Sequence, residues 1–263
     1  MSMIEGRRRL VTWVIFTALL ALMVGCNDAS APGDPGGDGG VDGGSGPPAS
    51  YLALVSGTPF TTDLAMVQAA HDPIANGGRE DAMAAGDFGH EVFLGTTLLG
   101  TTENDLTIID RWDNVPGMGA FYSNPAFADA VGGLFDGPPT LETFEAREDF
   151  HTWGSFDAAD AEPDRYFVVV RGRLASTDTE TNRAAHDAVA AGGETAVRAA
   201  GDVAHVVYLG LEDPQEFLAI DIWADPTNIV AVYSDPDFAA AFGSLFESAP
   251  TLGVYASTDW AQW

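Results

Sequence analysis

The chain has 263 residues, 46% of them hydrophobic and 10% aromatic, which is enough for one or two domains with a proper core and argues against global disorder. Its charge is lopsided: 39 acidic residues face 11 basic ones, all arginine, for a formal net charge of -28. A surplus of that sign is repelled by phosphate backbones, so nucleic acid is excluded as an expected partner and the charge reads as a statement about solubility.

The N-terminus reads as an address. Arg7, Arg8 and Arg9 precede an apolar run over residues 10–24, which is followed by Gly25 and Cys26. A basic stretch, a short apolar stretch and a small residue describe a secretory signal. The run turns polar too soon for a comfortable spanning helix. Met23-Val24-Gly25-Cys26 resembles the bacterial lipoprotein signal. That resemblance implies removal of residues 1–25, lipid (palmitate included) on Cys26, and a place in the cell envelope facing the periplasm or exterior, with the membrane met only through the anchor. Cys26 is the sole cysteine, so no disulfide forms within the chain. Residues 26–50, rich in Gly, Asp, Pro and Ser, cannot build a core and read as a disordered tether.

Beyond the tether one stretch occurs twice. Residues 69–95 read AAHDPIANGGREDAMAAGDFGHEVFLG, and residues 184–210 read AAHDAVAAGGETAVRAAGDVAHVVYLG. AAHD, GG, AAGD, a histidine and LG superpose without a gap, the signature of an internal duplication. Each copy opens with an apolar run of strand length, YLALVSG or YFVVVRG. Thr62-Asp63 and Thr177-Asp178 then offer helix N-caps. Gly77-Gly78 and Gly192-Gly193 are expected to weaken or break the helices that follow, with Pro73 adding to this in the first copy. Next come two strands joined as a hairpin, residues 88–95 with 106–112 and 203–210 with 217–223. A second helix, restarted at Pro125 and Pro236, leads to a last strand and then to Asp149-Phe150 with Trp153, echoed by Asp259-Trp260 with Trp263.

The order is β-α-β-β-α-β twice, which gives an α+β fold of two tandem ferredoxin-like repeats. Repeat 1 spans residues 51–153, the linker 154–165 and repeat 2 residues 166–263. In the second copy Val206, Tyr208, Leu218, Ile220 and Ile222 alternate with Val203, Val207, Leu209, Phe217 and Ala219, so both faces of the sheet are apolar. Each sheet then needs cover on both sides, and the other copy is the economical source. The arrangement, together with local features such as Asp235-Pro236-Asp237-Phe238, resembles the dimeric α/β-barrel superfamily, including antibiotic-biosynthesis monooxygenases and YCII-related proteins. The resemblance implies a pseudo-dimeric barrel within one chain, with any further oligomer left open.

Four of the five histidines stand at matched positions, and His151, the fifth, is read as a surface residue. If Leu209 faces Phe217 across the second hairpin, then His205 faces Asp221. The same centring sets His90 opposite Asp110. Opposed residues share a face with Cβ atoms about 5 Å apart, and Trp112 and Trp223 lie two residues on, on that face. An aspartate would fix one imidazole tautomer and raise its proton affinity, leaving the other nitrogen for a ligand. His90 and His205 are thus candidate bases for an acidic phenol or carbonyl-activated carbon, with Asp110 and Asp221 orienting them. The plain reading stands beside it: a buried His and Asp satisfy each other and do nothing more.

His71 and His186 lie in the first helices. Each is followed by an aspartate that, about 100° away around the helix, is not expected to face it. In YCII-related proteins a helical histidine belongs to a proposed His–Asp site, and Arg183-Ala184-Ala185-His186 is similar to that pattern. The first copy departs from it at Gln68. Tyr122 and Tyr233, at the break in the second helix, offer phenols to a pocket or fill the core. The histidines have no metal-ligand spacing, and GxGxxG, P-loop and GxSxG strings are missing, so neither metal nor cofactor is expected. The expected function is binding of a small apolar or aromatic molecule, with cofactor-independent oxygenation or isomerisation as its chemistry. The alternative is a non-catalytic envelope module whose histidines are structural.

Overall fold

The computed structural model describes residues 50–156 and 165–263. The signal, Cys26, nearly all of the tether and residues 157–164 of the linker lie outside the described residues. The first half holds β1 (Tyr51–Gly57), α1 (Leu64–Ala85), β2 (Asp87–Gly95), β3 (Leu106–Trp112), α2 (Val115–Tyr122), α3 (Pro125–Gly132) and β4 (Thr140–Ala146). The second holds β5 (Tyr166–Arg173), α4 (Thr179–Ala199), β6 (Asp202–Gly210), β7 (Glu216–Trp223), α5 (Ile229–Tyr233), α6 (Pro236–Gly243) and β8 (Thr251–Ser257). No helix among the described residues is long and apolar enough to cross a membrane.

The strands close into one antiparallel barrel in the order β1-β3-β2-β8-β5-β7-β6-β4. Closure disposes of sheet edges, which are otherwise open to unwanted pairing. The halves meet at two seams, β2 on β8 and β4 on β6, each only three residue pairs long. Both halves belong to one compact unit. The two-sided apolar strands are accounted for by this geometry. Leu52, Leu54, Phe93 and Ile109 of the first half meet Phe167, Leu218, Ile220 and Ile222 of the second inside the barrel. The outward faces are covered separately, by α1–α3 over the first half and α4–α6 over the second.

Local chemistry explains the entry and exit of the long helices. The Asp63 and Asp178 side chains accept from the first-turn amides of Ala65 and Thr181, as expected of N-caps. Gly86 ends α1 with φ +107, where a Cβ would lie 2.0 Å from Asp113 Oδ1, so glycine answers both demands. The expected break at the glycine pairs does not occur. α1 runs unbroken through Pro73 and Gly77-Gly78, and α4 through Gly192-Gly193. Helix propensity is a weak prior, and packing of one face (Val67, His71, Ala75 and Ala82 in α1) outweighs it.

The hairpins pair as their apolar pattern dictates, with Leu209 opposite Phe217 and His205 opposite Asp221. His90 likewise stands opposite Asp110. One side chain falls on the other face from that expected. A register irregularity at Asp202/Ala204, matched at Asp87/Gly89, turns the start of each strand, so Val203 packs into the barrel interior.

Candidate functional site

Each half carries a line of polar groups between its outer sheet face and its first helix. In the first, Tyr122 Oη donates to Asp110 Oδ2, and Asp110 Oδ1 lies 2.5 Å from His90 Nδ1. His90 Nε2 meets His71 Nε2 at 3.2 Å, and His71 Nδ1 meets Asp72 Oδ1 at 3.1 Å. In the second, Tyr233 bonds Asp221, which bonds His205 Nδ1. His205 Nε2 meets His186 Nε2 at 3.1 Å, and His186 Nδ1 meets Asp187 Oδ1 at 3.2 Å. The inner members are buried, whereas the Asp72 and Asp187 side chains are 31% and 27% exposed.

Three expectations are corrected here. Adjacent helical residues do bond: Nδ1 sits on the backbone side of the ring, within reach of the next carboxylate. A backbone amide from elsewhere also holds that carboxylate, Ala261 N on Asp72 at 2.9 Å and His151 N on Asp187 at 2.7 Å. Nor is the far nitrogen of His90 or His205 left free for a ligand, because a helical imidazole already occupies it. His151 is half-buried, not a free surface residue, and its ring bonds Glu194 at 3.0 Å.

The electrostatics follow from burial and neighbours. Burial opposes a charge on His90, but the adjoining Asp110 carboxylate, helped by Asp87 and Glu91, outweighs it and holds the ring above the usual imidazole range. Burial pushes His71 down, and it takes His186, beside His205, down to about 4. Two further carboxyls start β2 and β6. Asp87, buried and beside Asp110, is pushed up to about 7, and Asp202, buried and beside Asp221, to about 9. Their Oδ1 atoms accept from Gly89 N and Ala204 N across the irregular turn of the strand, at 3.0 Å each.

A tryptophan from the opposite half closes each line. Trp263 stacks on His90 with ring centroids 4.4 Å apart, and Trp153 on His205 at 4.6 Å. Each is fixed by paired backbone bonds to its histidine: His90 N to Trp263 O at 2.8 Å with Trp263 N to His90 O at 3.2 Å, and the same distances for His205 with Trp153. Gly154 makes the second contact possible. It has φ +65, and a Cβ there would fall 2.3 Å from Val203 O. The sequence carries these tryptophans as a repeated ending, but their place depends on closure across the halves. Trp112 and Trp223, on the face of the His–Asp pairs, are wholly buried and pack near Tyr122 and Tyr233.

Beside each line opens an apolar cleft between sheet and helices. The first, about 430 Å³ including space continuous with solvent, is bordered by His71, Asp87, His90, Asp110, Tyr122 and Trp263 among apolar side chains. The second, about 440 Å³ measured likewise, is bordered by Trp153, His186, Asp202, His205, Asp221 and Tyr233. Both are narrow, with closed parts that take only about one water-sized group in the first and two or three in the second. No group of three or more His, Cys, Asp or Glu among the described residues is placed to hold a metal ion.

No family model matches the sequence, and no curated protein does. Solved structures do match the fold. A presumed monooxygenase from Lactobacillus acidophilus NCFM is similar over 80% of this chain and 93% of its own, at 9% identity and a TM-score of 0.50. A second presumed monooxygenase, from Fusobacterium nucleatum subsp. nucleatum, covers 82% and 97% at 8% identity and 0.54. An anthrone oxidase-like protein covers 82% and 92% at 16% identity and 0.55. The fold is therefore of the dimeric α/β-barrel type. At these identities the likeness speaks for the fold alone.

Proposed function

We propose that this chain is a cell-envelope lipoprotein, tethered through Cys26, that binds a small apolar or aromatic molecule in each cleft and takes an acidic proton from it. Proton removal is the opening step of cofactor-independent oxygenation or isomerisation, the chemistry toward which the monooxygenase names of the structural neighbours lean. The two halves are read as copies of one ferredoxin-like unit. The observation that carries the reading is an apolar cleft bordered by a continuous Tyr–Asp–His–His–Asp line, present once in each half. Because each imidazole is bonded at both nitrogens, the line as a whole is the base. Tyr122 and Tyr233 are its members at the cleft, and His90 and His205 are oriented by Asp110 and Asp221. Asp202, which keeps its proton at neutral pH, serves as a donor to a ligand oxygen.

The same saturation of the imidazole nitrogens favours the second reading, a non-catalytic binding module with structural histidines. Titration with 2-naphthol separates the two. Under the first, the wild-type protein binds the probe and naphtholate absorbance appears at neutral pH, while a Tyr122→Phe, Tyr233→Phe double variant binds without ionising it. A wild-type protein that neither binds nor ionises naphthols and related phenols leaves only the second.

A further inference from the structure

The two Nε2 atoms that face each other in each half impose a proton count. His71 and His90 have ring planes 8° apart and centroids 5.3 Å apart, and His186 and His205 have planes 11° apart and centroids 5.3 Å apart. With the nitrogens 3.2 and 3.1 Å apart, the remaining centroid distance is about two ring radii, so each pair lies end to end, as an N–H···N bond requires. Two bare lone pairs would repel at that distance, so one proton sits between them. The contacts with Asp110 and Asp72 each need another. Three protons then serve two imidazoles and two carboxylates, one more than neutral rings and ionised acids supply.

We propose that each imidazole pair is a proton relay whose outer port is Asp72 in the first half and Asp187 in the second, joining the buried Asp110 and Asp221 carboxylates to solvent. The inner end is Tyr122 on Asp110 and Tyr233 on Asp221, and the outer end is the partly exposed carboxylate. One passage consists of three hops. The proton shared between Asp110 Oδ1 and His90 Nδ1 settles on Nδ1, the one on His90 Nε2 moves to His71 Nε2, and the one on His71 Nδ1 moves to Asp72. Three bonds to hydrogen break and three form. Asp110 ends as a carboxylate, both rings stay neutral, and Asp72 gives the proton to water. Asp110 can then take one tyrosine proton, on Oδ2, as the tyrosine takes one from a ligand, and a second passage requires both rings to exchange tautomers first.

The ionisable groups facing His205 are Asp221, Asp202, His186 and Tyr233, with Asp187 and Arg183 beyond His186. Those facing His90 are Asp110, Asp87, Glu91, His71 and Tyr122, with Asp72 beyond His71. Of these groups, only the two outer aspartates combine a direct imidazole contact with solvent exposure. The relay rests on reading the clefts as ligand sites, but its test needs no ligand.

Asparagine at the port keeps an oxygen for the imidazole N–H and for the backbone amide, yet cannot accept the proton. Low-field proton NMR with 15N-labelled histidine follows exchange of the Nε2-bound protons with water. In Asp187→Asn the exchange of the His186–His205 proton is expected to slow at least about tenfold, the rate equivalent of a lost bond to a charged group, with the His71–His90 proton unchanged. Asp72→Asn gives the reverse, so each variant is a folding control for the other. Unchanged exchange in both variants, or nitrogen shifts with no proton shared between the Nε2 atoms, would overturn the relay. Those results leave naphthol binding untouched, and a failure of naphthol binding leaves the exchange rates as expected.

Discussion

The two polar lines are built from the same side chains and supported by different ones. On the second, Asp187 takes a backbone bond from His151 and a guanidinium bond from Arg183 at 3.2 Å. On the first, Asp72 takes its backbone bond from Ala261, and Gln68 stands where Arg183 does. The buried carboxyls differ likewise: burial and the neighbouring Asp110 raise Asp87 to about 7, while burial and Asp221 raise Asp202 to about 9. What stays the same on both sides is Tyr–Asp–His–His–Asp with a stacked tryptophan. The comparison separates the groups proposed to move or share protons from the scaffolding that varies around them.

The largest expected effect tests whether the halves complete each other. Trp153→Ala should cost about 3–5 kcal/mol in denaturant unfolding, typical of a buried ring lost, and Trp263→Ala less, because its ring is only partly buried. Equal small losses would mean that the cross-half contact is incidental. Next comes His205→Phe, expected to cost about 1–3 kcal/mol by orphaning Asp221 and His186, with His90→Phe the same. A marked inequality between them would break the equivalence of the two lines.

The third effect is a pH dependence. Above pH 3.8 the unfolded chain has lost the Asp202 proton, whereas the folded chain keeps it until about pH 9, so folding stability falls as pH rises across that interval. Asp202→Asn should flatten this fall up to about pH 9, and Asp87→Asn only up to about pH 7. His186 acts in the opposite sense. Unfolded it protonates near 6.5 but folded only near 4, so its contribution is lost as pH drops through that window. Melts from pH 4 to 9 on these variants check both signs. The smallest effect is Arg183→Gln, which makes the second port resemble the first and should leave the melting temperature nearly unchanged, since exposed ion pairs contribute little.

The His–Asp pairs were legible because strand pairing has a period of two. Once Leu209 sits opposite Phe217, the position of Asp221 is arithmetic. The face of Val203 was not legible, since the irregularity that turns it depends on Asp202 capping an amide two residues on. The AAGD shared by both halves was its only trace. His71 against His90 was hidden for another reason: contact across layers depends on how α1 is rotated over the sheet, which periodicity within either element leaves open. The unbroken helices also ran against local propensity, for packing decided them. Trp153 and Trp263 were visible as an echo, but nothing local says that a chain's ending will lie against the opposite half.

The short seams have a mechanical consequence. Beyond their three residue pairs they are prolonged by the strips that carry the tryptophans, through Thr258 N on Val92 O and Arg147 N on Val207 O. Prising a seam apart would therefore peel an indole from an imidazole in the same movement. Any load that loosens the join between the halves also uncovers an imidazole that the indole shields.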